Sequence, residues 1–254
     1  LYRARSGYNR GPHAIIYNFF RSLRVIVAKF KPDKQYFVLE GCPKQRIEAH
    51  KEYKAQRTYH DKDDFSRQKK YIIDLLKRRF PMDVVRHPDY ECDDVLANLA
   101  TKSHSNDECI VVSSDTDFYQ LYDQHENVKV YNPVQKKVME KHPVDYVTWK
   151  ALKGDSSDNI PGFAGIGDKR ATALVSNPEK LNQFLLAESN RRDRFEKNMF
   201  LIKFHDMGSE LDLIERSTPE VDWDDVRREF NNLRFWSITD DRSWEKFHKS
   251  FGPN

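Results

Sequence analysis

Residues 154–171 read GDSSDNIPGFAGIGDKRA and combine two signals that seldom adjoin. Asp155 and Asp158 stand three apart in a small polar turn, and paired carboxylates suit a hard cation. Gly162, Gly165 and Gly167 then make a glycine hairpin that opens onto Asp168-Lys169-Arg170-Ala171 and a helical pattern. Glycine turns at a helix N-terminus present backbone N–H groups to phosphate. Together the two halves point to a metal centre beside a nucleic-acid backbone.

Upstream, short apolar runs alternate with helical periodicities. Residues 13–30 carry Ile15, Ile16, Phe19, Leu23, Ile26 and Val27 at helical spacing, and Pro32 ends the pattern. Residues 36–39 form a strand with Glu40 at its carboxyl end. Helices are expected over 67–80, 91–102 and 144–153, and a helical turn over 118–122. Further strands are expected over 83–86, 109–114 and 128–131, the second running into Asp115-Thr116-Asp117. This alternation predicts an α/β fold with a central, mostly parallel sheet flanked by helices. The site of such a sheet lies at the carboxyl ends of its strands. After Ala171 the pattern turns helical and strand-poor. We therefore divide the chain into an α/β core (1–148) and a region holding the hairpin and C-terminal helices (149–254).

The 254 residues carry a net charge of only +3, but its distribution is uneven. Residues 42–79 hold 12 Lys/Arg against 6 Asp/Glu, a net +6 that leaves the remainder near −3. A basic region on a near-neutral body suits a polyanionic partner. Three cysteines (Cys42, Cys92, Cys109) without metal-type spacing predict reduced thiols in a cytoplasmic protein. There is no apolar run of membrane-spanning length and no export signal, so no membrane partner is expected. The chain opens on Leu1-Tyr2-Arg3-Ala4 without an initiator Met, so further residues are expected before it.

The acids fall into four clusters: Glu40; Glu91, Asp93 and Asp94; Asp115 and Asp117; Asp155 and Asp158. Each alone has a structural reading. Acids in a first helical turn suit the macrodipole, and Asp115 and Asp155 suit capping positions. Jointly they lie at strand ends and helix starts on one rim, where so many carboxylates need counter-charge. No histidine joins them at ligand spacing, so oxygen-only donors favour Mg²⁺ or Mn²⁺ over zinc. Two such ions would clamp the attacking and leaving oxygens of a phosphodiester. The basic segment follows Glu40, and Lys54 and Arg57, three apart, would share one face if this piece is helical. They are candidates to neutralise a scissile phosphate, and Tyr53 and Tyr59 to stack on an unpaired base.

These residues resemble the 5′-nuclease, or flap endonuclease, superfamily, in particular the bacteriophage 5′-nucleases and the 5′-3′ exonuclease domain of bacterial DNA polymerase I. The motifs are Glu91-Cys92-Asp93-Asp94, Asp115-Thr116-Asp117, the run from Gly154 to Gly162, and Gly165-Ile166-Gly167-Asp168-Lys169. The resemblance is collinear to about Leu186; residues 184–204 look most like the phage members. It implies a PIN-like nuclease core, a helical arch over about 44–70 that passes a single strand, and a helix-hairpin-helix element often built around K⁺. Glu91, Asp93, Asp94, Asp115, Asp117, Asp155 and Asp158 would be metal ligands, with Glu40 standing where the family has Asp. Lys54 and Arg57 would engage the scissile phosphate. Arg3, Tyr53, Gly162, Gly165, Gly167, Lys169 and Arg170 would contact nucleic acid. The family's first ligand, an Asp ending the first strand, falls just upstream of Leu1.

The resemblance implies a structure-specific 5′-nuclease that acts near single-strand/double-strand junctions of branched or flapped DNA, including RNA–DNA hybrids, as a monomer. It would serve replication and RNA primer removal, in the host cytoplasm if the chain is of phage origin. Two alternatives stay open. One is a non-catalytic binder of branched DNA with an incomplete metal site. The other is a PIN-type ribonuclease, which the hairpin and long arch disfavour.

Overall fold

The computed structural model describes residues 4, 11–57, 63–123 and 125–252. Its helices are α1 (Ala14–Phe30), α2 (Lys44–Ala49), α3 (Asp63–Arg79), α4 (Cys92–Asn98), α5 (Tyr146–Lys153), α6 (Asp168–Val175), α7 (Pro178–Leu186), α8 (Arg191–Ile202), α9 (Trp223–Asn232), α10 (Trp236–Thr239) and α11 (Asp241–Lys249). Its strands are β1 (Tyr36–Leu39), β2 (Asp83–Arg86), β3 (Cys109–Val112), β4 (Val128–Asn132), β5 (Lys137–Val138), β6 (Gly154–Asp155), β7 (Ile160–Pro161) and β8 (Glu215–Ser217). The fold is α/β. Lys31, left-handed and bonded to Val27 O, closes α1 one residue before Pro32.

The longer strands pair as expected of an α/β core. β1 runs parallel to β2 with Tyr36 opposite Asp83, and β3 parallel to β4 with Cys109 opposite Val128. They do not merge into one sheet among the described residues. β8 extends β2 antiparallel, β5 extends β4 antiparallel, and β6–β7 is a two-residue ladder of its own. β5 has two residues and β8 is short and polar, so no apolar run marks them in the sequence. Among the described residues, no helix is long and apolar enough to cross a membrane.

The chain forms two compact units, Leu1–Leu39 with Tyr59–Arg86 and Ile214–Asn254, and Glu40–Thr58 with His87–Leu213. Both are discontinuous and so cross the division at 148/149 drawn from the sequence. The first unit is built by packing between distant segments: Phe20 of α1 stacks on Phe80 at 4.8 Å and meets Phe230 of α9 at 5.1 Å. Ile72, Leu75, Val226 and Phe247 complete this core. The second unit contains all eight candidate metal ligands. Val111, Phe118, Val128 and Val130 pack β3 and β4 under a 3-10 helix (Thr116–Asp123), while Leu152, Phe163, Ile166 and Ala171 pack α5 against α6.

Two glycines shape the turn that carries Asp155 and Asp158. Gly154 has φ +81°, and the chain crosses itself so closely that a Cβ on Gly162 would lie 1.8 Å from Lys153 O. Between them a single 3-10 turn (Ser156–Asp158) ends on left-handed Asn159, φ 61°. Gly162→Ala is therefore expected to destabilise the protein by about 3 kcal/mol. Gly167→Ala, where a Cβ meets nothing within 4 Å, should change stability by less than about 0.5 kcal/mol. Urea unfolding of the two variants checks this contrast.

Candidate metal centre

The acids reach the site from three local structures. Glu91 is the N-cap of α4, and Asp93 and Asp94 occupy its first turn. Asp115 and Asp117 follow β3, with Asp117 N–H donating to Asp115 Oδ1 at 3.0 Å. Asp155 follows α5 and accepts Ser157 N–H at 2.8 Å. These turns bring carboxylate oxygens of Asp117, Asp155 and Asp158 within 4.8 Å of one another. They line a cleft of about 490 Å³ with Asp115, Lys150, Arg57 and several aromatic rings. Oxygen donors at this spacing fit a divalent cation. A second acidic group forms around Asp93: burial, then Asp115, then Glu40 push its pKa up to about 7. Glu40 reaches α4 by accepting Cys92 N–H at 3.2 Å, so the longer side chain still meets the other acids.

Cations interleave with these acids. Lys150 Nζ bridges Asp117 and Asp155, at 2.7 Å from Asp155 Oδ2. Lys54 Nζ pairs with Glu91 and lies 3.7 Å from Asp158 Oδ2. Arg57 pairs with Asp158 Oδ1. Burial opposes charge on Lys54 and Lys150, but their acid partners outweigh it and raise both pKa values. Burial raises the Asp117 pKa despite Lys150. For Asp155, bonds from Lys150 and Ser157 overcome burial and hold the carboxyl below the usual range.

Three sequence assignments change. Asp94, expected as a ligand, is buried and already saturated: Arg46 Nη1 and Nη2 donate to it at 2.5 and 2.8 Å, and His205 N–H at 2.8 Å. Tyr53, expected to stack on a base, is 5% exposed and donates its hydroxyl to Glu91 Oε2 at 2.9 Å. Lys54 and Arg57 do not share a helix face, because residues 51–56 are turns and Lys54 has φ 55°. Lys54 N–H donates to Asp158 O at 3.1 Å and Gln56 Nε2 to Ser156 O at 2.8 Å, so this segment clasps the acidic turn directly. Of the expected arch over 44–70, residues 44–49 are α2 and α3 starts at Asp63. Arg3, Tyr59 and residues 58–62 lie outside the described residues.

Phe163 and Ile166 are buried and joined by Ile166 N–H to Phe163 O at 3.0 Å, while Gly165, Gly167, Lys169 and Arg170 are exposed. Gly165 takes φ +72°, and Gly167 is the N-cap of α6. Gly162 is the closely packed end of the acidic turn.

Residues 3–149 match the family described as "5′-3′ exonuclease, N-terminal resolvase-like domain". The chain belongs to the 5′-3′ exonuclease family. The thermostable DNA polymerase I of Thermus filiformis is 34% identical over 240 residues, 87% of this chain and 28% of that protein. The chain thus spans less than a third of the polymerase. A 5′-3′ exonuclease of Mycoplasmopsis pulmonis is 29% identical over 218 residues, 77% of this chain and 72% of that one. Among solved structures, a flap endonuclease of bacteriophage T5, in a pseudo-enzyme–product complex with DNA and metal ions, shares the fold. Its TM-score is 0.64 at 21% identity, covering 80% of this chain and 85% of that one.

Sequence reading missed two cations of this exonuclease-family site. Lys150 lies among the buried positions of α5, beside Tyr146, Val147 and Ala151; a lysine on an apolar helical face was the available signal. Arg46 sits in a six-residue helix too short to show a period.

Asp94→Asn leaves the Arg46 guanidinium buried and under-paired, and a loss of about 3 kcal/mol or more is expected in urea unfolding. Asp155 has a lowered folded-state pKa, so its stabilisation is complete above the unfolded value of about 4 and lost as pH falls through the folded one. Asp155→Asn should therefore flatten the acid limb of the Tm–pH profile in metal-free buffer.

Proposed function

We propose that this chain is a metal-dependent, structure-specific 5′-nuclease. It hydrolyses phosphodiesters near the single-strand/double-strand junction of branched or flapped DNA, leaving a 5′-phosphate and a 3′-hydroxyl. The observation that carries this reading is the convergence of Asp117, Asp155 and Asp158 in a cleft clasped by Lys54 and Arg57, on a chain of the 5′-3′ exonuclease family. The likeness to a flap endonuclease captured with DNA and metal ions supports a DNA substrate.

Asp117, Asp155 and Asp158 would hold one Mg²⁺ or Mn²⁺, and Glu40, Asp93 and Asp115 a second. Divalent ions bound there supply a Lewis acid and lower the pKa of water. Lys54 and Arg57 neutralise Glu91 and Asp158 before substrate arrives and turn to the scissile phosphate when it does. Tyr53 holds Glu91 in place through its hydroxyl. Lys150 keeps Asp117 and Asp155 together against their repulsion. The exposed Gly165–Arg170 hairpin grips the duplex backbone away from the cut, with K⁺ as a candidate partner. Glu91 acts as an anchor for Lys54, and Asp94 serves the structure. The substrate range extends to RNA–DNA hybrids at primer ends, and the protein acts as a monomer.

The test is cleavage of a 5′-flap DNA with Mg²⁺, alongside binding in Ca²⁺. The protein should cut near the junction, and Asp115→Asn or Asp155→Asn should reduce the rate by more than about 100-fold while flap binding persists. Unchanged cleavage in these variants would overturn the proposal. Binding without cleavage by the unaltered protein would replace it with a DNA-binding role.

A further inference from the structure

Four aromatic rings line the same cleft as the carboxylates. Tyr119 comes from the 3-10 helix that also carries Asp117, His142 from the segment after β5, and Tyr146 and Trp149 from α5. His142 is central to them: its ring centroid lies 4.8 Å from Trp149, 5.3 Å from Tyr146 and 5.8 Å from Tyr119. Tyr119 and Tyr146 are 5.4 Å apart. These separations are those of favourable aromatic pairs, so the rings brace one another.

Two of the four are committed to the protein. Tyr146 is buried and donates its hydroxyl to Asp117 Oδ1 at 3.0 Å. Trp149 donates Nε1–H to Asp168 O at 3.3 Å, and Lys153 Nζ lies 4.3 Å from its ring centre. Tyr119 and His142 are half-buried, as is Trp149, whose ring already has Lys153 Nζ beside it. His142 Nδ1 lies 2.8 Å from Val144 O; a carbonyl only accepts, so Nδ1 carries the proton and the ring plane is held. Ring faces such as these suit a nucleobase, because every base offers a π face and stacks on aromatic side chains with little regard to sequence.

We propose that Tyr119 and His142, braced by Tyr146 and Trp149, form a stacking subsite for the base of the nucleotide that flanks the scissile phosphate. The occupant follows from connectivity: Tyr146 joins this wall to Asp117, so a strand with its phosphate at Asp117 and Asp155 carries its next base onto the rings. An unpaired base fits best, since both its faces are exposed. Stacking reads the base and ignores the 2′ position, so deoxyribose and ribose strands are served alike. The proposal rests on the nuclease reading above.

The test uses the unaltered protein and flap DNAs that carry an abasic site on either side of the scissile phosphate. One of the two placements should raise KM by at least about fivefold. 2-Aminopurine at that same position should be quenched on binding in Ca²⁺. Tyr119→Ala with His142→Ala should abolish the quenching and make the intact flap behave like the abasic one, while Tyr119→Phe, which keeps the ring, should restore quenching in the single-site background. Thermal unfolding controls for folding of the variants, and the abasic comparison needs no variant. If neither abasic site alters KM while flap cleavage proceeds, the subsite is wrong and the nuclease reading stands. If the unaltered protein neither binds nor cleaves flap DNA, the nuclease reading itself fails.

Discussion

Carboxylates crowded into one cleft repel each other, and the arrangement of the second unit follows from how that repulsion is contained. Lys150 lies between Asp117 and Asp155, Lys54 pairs with Glu91 beside Asp158, and Arg57 pairs with Asp158. Lys54 and Lys150 are partly withdrawn from water, so their interactions are stronger than their surface counterparts, whereas Arg57 stays exposed. Around Asp93, burial and then the charges of Asp115 and Glu40 raise the pKa. Protein cations thus hold together the half of the site around Asp117, Asp155 and Asp158.

Arg46 shows the same physics used for architecture. Its guanidinium binds Asp94 through two nitrogens and the carbonyls of Leu201 and Lys203 at 2.9 Å each. One buried side chain therefore joins α2, the start of α4 and the end of α8. With every donor direction matched, the charge is tolerated in the interior; with one partner removed it is not. Asp93 and Asp94 are neighbours in sequence, yet helical geometry turns one toward Asp115 and Glu40 and the other to Arg46.

Local chemistry was legible in the sequence. Apolar runs marked β1, β2, β3 and β4, helical spacing marked α1, α3 and α5, and the glycines around Asp155 marked a tight crossing. The candidate ligands were legible too, because acids at strand ends and helix starts are set by local backbone. Most of what was missed depends on pairing across tens of residues. Arg46 and the buried role of Tyr53 leave no periodic trace, and Lys150 leaves only its place on an apolar helical face, since a cation's partner is chosen by the packing of other elements.

By itself the sequence determined the α/β class, the positions of the main elements, the four acid clusters and the glycine hairpin. Each depends on spacing within a few residues, where backbone geometry is nearly invariant. Only the tertiary structure decided which acids face the cleft, which cations restrain them and which aromatic rings stand beside them. Those outcomes depend on burial and on charges brought within a few ångströms by packing between distant segments, as when Gln56 meets Ser156 at 2.8 Å. Electrostatic roles in a low-dielectric cleft belong to the assembled group of side chains rather than to any single motif.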